Sequence, residues 1–453
     1  MEKFTKWQDA SGVNPFIPPA PRLPRNPLLK GGRLLLGCLL ALVRAPLFGL
    51  CLLCLFVAER LARPVTLMVL GLAAVATRKH YFEGAVLVGL GLTGAAVVPL
   101  TRLVRRVMFT FWSRSALAVL GIWVKEQPAN LRRLGLQQGT NVEAARKRTW
   151  GGLAAPGDII VSNYTSFAEV LYLMGRADPH FATAAAQQPP SPAAAAPPSV
   201  VVISPWKAFR HACAAAPPPP LLKPAPQALA AAAEAAGGYY APVALFPEGA
   251  KTNGSGVLEF TERGLEGGVG DACVCVVAFS VAHPVGPFLR HLFWLSSSLS
   301  LTVMTVHIIP AESVPPVPVP ADQDGSVRRS SKVMFLNVRS CTSMNFNGVD
   351  QMSNLPIALT AGGRFFFMKC EVAGSGALVQ GLSRTANSRC SSAWLTIAQW
   401  TEDIRGLIAT LSRSQRVALS AADATSFARY WTLLRGGQRN EAAQIADQRR
   451  KNL

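Results

Sequence analysis

Apolar positions are unevenly distributed along this chain. Leu34 to Val57 is almost wholly apolar, broken by Arg44 and Pro46. Two weaker apolar groups follow, Val65–Ala76 and the glycine-rich Gly84–Leu100, separated by Arg78, Lys79 and His80. A bilayer span needs ~20 apolar residues, so residues 34–100 are expected to be membrane-embedded. The arginine and proline leave two arrangements open: a single kinked span, or two short half-helices entering and leaving one leaflet with Arg44 and Pro46 at the bend. The run begins too far from the first residue to read as a cleaved signal peptide.

Beyond residue 100 the pattern becomes that of an α/β domain. Leu117 to Glu126 reads as a buried helix end or entering strand. Short apolar runs at 158–162, 200–203, 243–246, 274–280, 301–309 and 333–338 read as strands. Between the first two, apolar residues at 167, 170, 171 and 174 recur at helical spacing, and Ser166 with Glu169 forms a capping-box pattern. The 200–203 run leads into a turn carrying Trp206, Lys207, Phe209 and Arg210. Ala/Pro-rich tracts at 184–198 and 212–238 read as insertions, although 228–236 has helical composition. Residues 315–324 read as a loop. Towards the C-terminus, 394–411 and 421–434 are expected to be helical, the second opened by a capping box at Ser420 and Asp423, before a basic tail. The expected organisation is a basic segment at 1–33, a membrane-embedded segment at 34–100, an α/β domain at 101–345 and a helical region at 346–453.

Composition agrees with a membrane setting. Half of the 453 residues are hydrophobic and 15% are charged, with a formal net charge of +20. The cations cluster on either side of the apolar region: six lie in residues 1–33, and ten lie in 101–150 against Glu126 and Glu143. Basic flanks of this kind follow the positive-inside pattern and attract anionic head groups. No zinc-finger, RNA-recognition or basic-zipper pattern is present, which argues against nucleic acid as a partner. The nine cysteines form no repeating framework; the Cys51–Cys54 pair sits in leucine-rich sequence and reads as packing.

Two segments carry the chemistry. Asn163-Tyr164-Thr165-Ser166-Phe167-Ala168-Glu169 and Leu245-Phe246-Pro247-Glu248-Gly249-Ala250-Lys251-Thr252-Asn253-Gly254 each follow a strand-like run. Together they resemble the Asn-His-x-Ser-x-x-Asp and Phe-Pro-Glu-Gly-Thr motifs of the glycerolipid acyltransferases. The opening Met1–Trp7, the phrases around 163 and 248, and the ending at 447–451 look most like the family's fungal lysophosphatidic acid:oleoyl-CoA branch. The resemblance implies a glycerolipid-acyltransferase-like α/β core, with a mixed sheet flanked by helices, preceded by a membrane-embedded helical hairpin. It implies acyl transfer from an acyl-CoA co-substrate to the sn-2 hydroxyl of lysophosphatidic acid, without metal or cofactor, among membrane lipids of the endoplasmic reticulum and lipid droplets with the core facing the cytosol. Carried over residue by residue, Tyr164 and Glu169 fall at the catalytic positions, and Glu248, Gly249, Lys251, Thr252 and Arg210 at the substrate-binding ones.

Tyr164 stands where the family has its catalytic histidine. A phenol with a reference pKa of about 10 is a poor base at neutral pH. Three readings stay open: another residue, His211 first among them, supplies the base; positioning suffices; or the fold only binds lipid.

Overall fold

The computed structural model describes residues 7–9, 11–17, 26–78, 102–136, 153–184, 200–214, 228–238, 241–260, 272–281, 288–315, 360–361, 364–365 and 397–452. Most of the expected insertion at 184–198, the apolar group at 84–100 and the expected strand at 333–338 lie outside them. Two compact units are formed, one from Met1–Val319 with Leu395–Leu453 and the other from Pro320–Trp394. The described part of the second is a two-stranded antiparallel ladder of Thr360–Ala361 with Arg364–Phe365.

The first unit is built on a seven-stranded sheet. Its strands are β1 (Ile122–Pro128), β2 (Ile159–Ser162), β3 (His180–Ala184), β4 (Val200–Ile203), β5 (Val243–Leu245), β7 (Val274–Val281) and β8 (Thr302–Ile309), in the order β1-β8-β7-β2-β5-β3-β4. A short strand β6 (Gly256–Val257) pairs elsewhere, in parallel with Gln415–Arg416. The centre of the large sheet, β7-β2-β5-β3, is parallel, while β8 against β7 and β4 against β3 are antiparallel.

Because side chains alternate across a sheet, the central strands feed two cores. Ile160, Ala244, Cys275 and Val277 face one side, under helices α1 (Pro27–Arg78), α2 (102–119), α3 (Phe167–Ala177), α4 (Pro205–Cys213) and α6 (Phe288–Ser296). Ile159, Val161, Val243, Leu245, Val274 and Val276 face the other, under α5 (Leu229–Gly238) and α7 (Ile397–Ser412). A sheet buried on both faces accounts for the continuous apolar runs of its strands. The helix expected in the C-terminal region thus covers the second face, with Trp400, Ile404 and Ile408 buried there. Two further helices, α8 (Ala421–Arg435) and α9 (Arg439–Asn452), close a small aromatic cluster over Trp7 of the N-terminal segment.

The structure decides three local expectations. The segment after β4 is a helix rather than a turn: Ser204 caps it and Pro205 occupies its first turn, where a missing N–H costs nothing. Within the 212–238 tract the helical composition noted at 228–236 is realised as α5, whose Leu229, Ala232 and Ala233 are buried. Helix α1 runs unbroken through Arg44 and Pro46, which agrees with the single-span arrangement rather than with two half-helices.

Among the described residues α1 is the one helix long and apolar enough to cross a membrane. One of its faces docks on the α/β core. Gly37 approaches the Ser297 carbonyl, Arg44 Nη1 donates to the Ser298 carbonyl at 2.8 Å, Phe48, Cys51 and Leu55 are buried, and Glu59 accepts from Trp206 N at 2.8 Å. Arg44 therefore has a protein partner inside the apolar run, the arrangement an arginine there requires. Leu35, Leu39, Leu42, Leu50 and Leu53 stay exposed on the rest of the helix.

Helix α2 meets the C-terminal end of α3. Asp178, which caps α3 in the left-handed region, is gripped by Arg105 at 2.6 Å and by Arg102 at 3.1 Å. At the same crossing a Cβ on Gly175 would stand 2.9 Å from Ser113 Cβ. Gly175→Ala is therefore expected to destabilise by about 1–3 kcal/mol through overpacking, outweighing the ~0.5–1 kcal/mol that removing a helical glycine contributes. Thermal unfolding should show a lowered midpoint.

Candidate functional site

The two motif segments meet at the carboxyl ends of adjacent parallel strands, β2 and β5, where open α/β sheets place their ligand sites. The first leaves β2 and turns into α3. Asn163 fixes the exit by exchanging two hydrogen bonds with the backbone of Phe279 on β7, at 2.9 and 2.8 Å, which continues the β2–β7 ladder with a side chain. Ser166 caps α3, and the capping box is complete. Glu169 Oε2 accepts from Thr165 N at 2.6 Å and Ser166 N at 3.1 Å, and its Oε1 accepts from the Thr165 hydroxyl. Glu169 is thereby occupied in shaping the loop that holds Tyr164. Inside the helix, Ala168 N donates to the Ser166 hydroxyl at 3.2 Å.

The second segment leaves β5 through Phe246 and Pro247. Glu248 is fully buried; Oε1 accepts from Tyr164 N at 2.9 Å and Oε2 from Leu258 N at 3.1 Å. Thr252 N donates to the Tyr164 carbonyl at 3.0 Å. Tyr164 is thus held through both its backbone groups by the second motif. Gly249 turns the chain at φ 65°, a region open to glycine without strain. The half-buried Tyr164 ring stacks on Phe246 at 4.6 Å between centroids.

Lys251 Nζ donates to the carbonyls of Ala212 at 2.8 Å and Ala214 at 2.6 Å. It closes the C-terminus of α4, where a cation meets the negative end of the helix dipole. Arg210 and Lys207 are exposed on α4. Of the seven sequence-expected residues, Tyr164, Glu169, Glu248, Gly249, Lys251 and Thr252 are brought into one continuous network, and Arg210 stands on the surface of the helix that Lys251 caps.

Three residues of this network were not among the expected site residues, although Asn163 and Asn253 stand within the two motif segments. Asn253 ties the loop to the N-terminal segment, donating from its backbone to Pro15 O at 2.7 Å and from its side chain to the Asn14 and Ile17 carbonyls at 3.0 and 2.8 Å. Arg405 of α7, itself buried, donates to Val257 O at 3.3 Å and to Val417 O, so it fastens β6 and the 415–419 segment behind Glu248. Asn163 opened the first motif and carried the one available signal, an Asn at a strand-to-helix exit; a single arginine in a helical stretch gave none.

Burial dominates the electrostatics. It raises the Glu169 carboxyl to about 7, against the lowering effects of the Thr165 and Ser166 donors and Lys251. It raises Glu248 to about 8, against the Leu258 and Tyr164 amides. It lowers Lys251 to about 8, opposed by Cys213 and Glu169. The Tyr164 phenol is pushed well above its ordinary value, first by burial and then by Glu169 and Cys213, so it is a neutral hydrogen-bond donor at physiological pH. His211 is kept neutral by burial and by Arg210 and Lys207 beside it, and its buried Nδ1 has no hydrogen-bond partner among the described residues.

No protein-family model matches the sequence, and no curated protein matches it. A solved structure that is similar is the 1-acyl-sn-glycerophosphate (LPA) acyltransferase PlsC from Thermotoga maritima, at 14% identity over 61% of this chain and 89% of that one, with a TM-score of 0.26. At that superposition the likeness says nothing about chemistry.

Two outcomes follow from the geometry. Between pH 4.5 and 7–8 the native carboxyls of Glu169 and Glu248 hold protons that the unfolded chain has lost. Stability therefore falls as pH rises across that window. Between about 8 and 10.5 the unfolded lysine holds a proton that native Lys251 has lost, so stability rises again. Above pH 9 the Cys213 thiol, raised by burial to about 12, opposes that rise, so denaturation midpoints measured against pH should fall between about 5 and 8 and flatten above it. Glu248→Gln turns one acceptor into a donor facing an N–H, and should lower unfolding free energy by about 1–3 kcal/mol at pH 7.

Proposed function

We propose that this chain transfers an acyl group from acyl-CoA, oleoyl-CoA by the resemblance of its motifs, to the sn-2 hydroxyl of lysophosphatidic acid, giving phosphatidic acid. The observation that carries the reading is the hydrogen-bonded union of the two motif segments through Tyr164, Glu248 and Thr252, at the carboxyl ends of two parallel strands. Their order and spacing resemble the acyltransferase pattern, and a site for a lipid acceptor beside an exposed apolar helix suits that substrate class. The location that goes with this reading is the endoplasmic reticulum membrane and lipid droplets, with the α/β core in the cytosol.

Acyl transfer to an alcohol needs a proton acceptor, a holder for the phosphate and donors for the tetrahedral oxyanion. Tyr164, held protonated, suits the oxyanion better than the proton. Glu169 and Glu248 have their oxygens engaged by backbone donors and act by fixing the loop. His211, neutral and on the helix that Lys251 caps, is the group we assign as base. Arg210, exposed on the same helix, is the assigned contact for the acceptor's phosphate, with Lys251, Thr252 and Gly249 shaping the floor beneath it.

A second reading has its own support. With both carboxylates occupied and the phenol protonated, the fold could serve as a lipid-binding platform without turnover. The assay that separates them uses the full chain in detergent micelles with lysophosphatidic acid and labelled oleoyl-CoA. Phosphatidic acid should accumulate, and His211→Asn should slow it by roughly 10²–10⁴-fold. Product no greater than in a protein-free blank would leave the platform reading. Product undiminished in the His211 variant would keep acyl transfer and remove His211 as the base.

A further inference from the structure

Helix α2 carries four arginines and no acidic residue in its 102–119 span. Two of them, Arg102 and Arg105, turn inward and are paired with the buried Asp178. The other two, Arg106 and Arg114, enter no hydrogen bond or ion pair among the described residues. They lie on one open flank of the helix, in a shallow groove along its surface, together with Leu103, Val107, Thr110 and Phe111. Leu103, Val107 and Phe111 are 57%, 58% and 59% exposed, which makes a continuous apolar stripe along two turns. Arg106, Thr110 and Arg114 follow one another at intervals of four, so they share a neighbouring stripe.

An apolar stripe beside an unpaired cationic one is amphipathic in a particular way. It offers hydrocarbon contact and, within the reach of one side chain, a place for a negative charge with no competing carboxylate on the helix. We infer that this groove seats an anionic phospholipid of the adjoining leaflet, with its phosphate over Thr110 between Arg106 and Arg114 and its acyl chains against Leu103, Val107 and Phe111. Charge complementarity selects this occupant. A zwitterionic lipid brings its own cation to the arginines, and a soluble anion has no use for the apolar stripe. The site is separate from the one proposed for catalysis. Helix α2 touches α3 at its C-terminal end, through the Thr110 hydroxyl on Gly175 O at 2.7 Å and the arginines on Asp178, whereas Tyr164 and Glu169 are at its N-terminal end. A lipid seated on α2 would therefore brace the helix that carries the first motif without entering the site.

The test is lipid retention by the full chain in non-ionic detergent micelles doped with equal amounts of phosphatidylglycerol and phosphatidylcholine. After size-exclusion chromatography, co-eluting lipid is measured by mass spectrometry. The wild-type chain should retain phosphatidylglycerol in preference to phosphatidylcholine. Arg106→Gln with Arg114→Gln should reduce its retention by roughly twenty-fivefold, about fivefold for each charge removed near a lipid surface, with phosphatidylcholine unchanged. Arg106→Lys with Arg114→Lys should keep most of the preference, which separates lost charge from lost fold. Equal retention of the two lipids by the wild type, or undiminished phosphatidylglycerol in the double glutamine variant, would overturn the inference. So would its displacement by millimolar inorganic phosphate, which would show a soluble-anion site.

Discussion

The described site depends on one buried carboxylate. Glu248 lies at the end of β5 and accepts from the backbone of Tyr164 on one side and of Leu258 on the other. The two donors belong to segments far apart in sequence that share no other element. A buried N–H without an acceptor costs about 1–3 kcal/mol, so both loops are drawn to the same side chain. Thr252 then returns a backbone bond to Tyr164, and Arg405 holds the Val257 and Val417 carbonyls behind it. The loop after Glu248 is further fixed to the N-terminal segment by Asn253, and that segment is anchored by Trp7 among the aromatic residues of α8. Both ends of the chain thus bear on the same turn.

This arrangement redistributes the chemistry implied by the motifs. Carboxylates at such positions invite roles as acid, base or orienting group. Here Glu169 completes a capping box and Glu248 joins two loops, and their oxygens face backbone N–H groups and the Thr165 hydroxyl rather than each other or the Tyr164 phenol. The cost of burying them appears as raised carboxyl pKa values. Lys251 similarly caps α4. The groups left to meet a substrate are the half-buried Tyr164, the neutral His211 and the surface cations of α4, which is why the proposed reaction places its proton transfer on the helix rather than on the histidine-replacing tyrosine.

Much of the fold could be read from the sequence. The apolar runs at 158–162, 243–246, 274–280 and 301–309 became the buried strands, and both capping boxes, at Ser166 and Ser420, are formed. Periodicity failed where the relevant force was tertiary. Pro205 suggested a turn but opens α4. Arg44 and Pro46 left two half-helices open beside a single span, and with Arg44 on the Ser298 carbonyl the helix continues. The motif residues were legible as a cluster, because they are contiguous, but their functions within the site were not. Whether a glutamate orients a base or receives two amides depends on where Leu258 and Tyr164 lie in space, which no spacing along the chain records. The roles of Arg405 and Asn253 were illegible for the same reason, since Arg405 reaches Val257 and Asn253 reaches Asn14 and Ile17, all more than a hundred residues away.

The central claim is that Glu248 makes the two motif loops one cooperative unit, and native-state hydrogen exchange measures this most directly. The amides of Tyr164 and Leu258 should be strongly protected in the wild-type chain and should open together. In Glu248→Ala both should lose protection to a similar extent, while the Phe279 amide, held by Asn163, keeps its own. Rapid exchange at either amide in the wild type, or protection at Tyr164 that survives removal of the Glu248 carboxylate, would contradict the account.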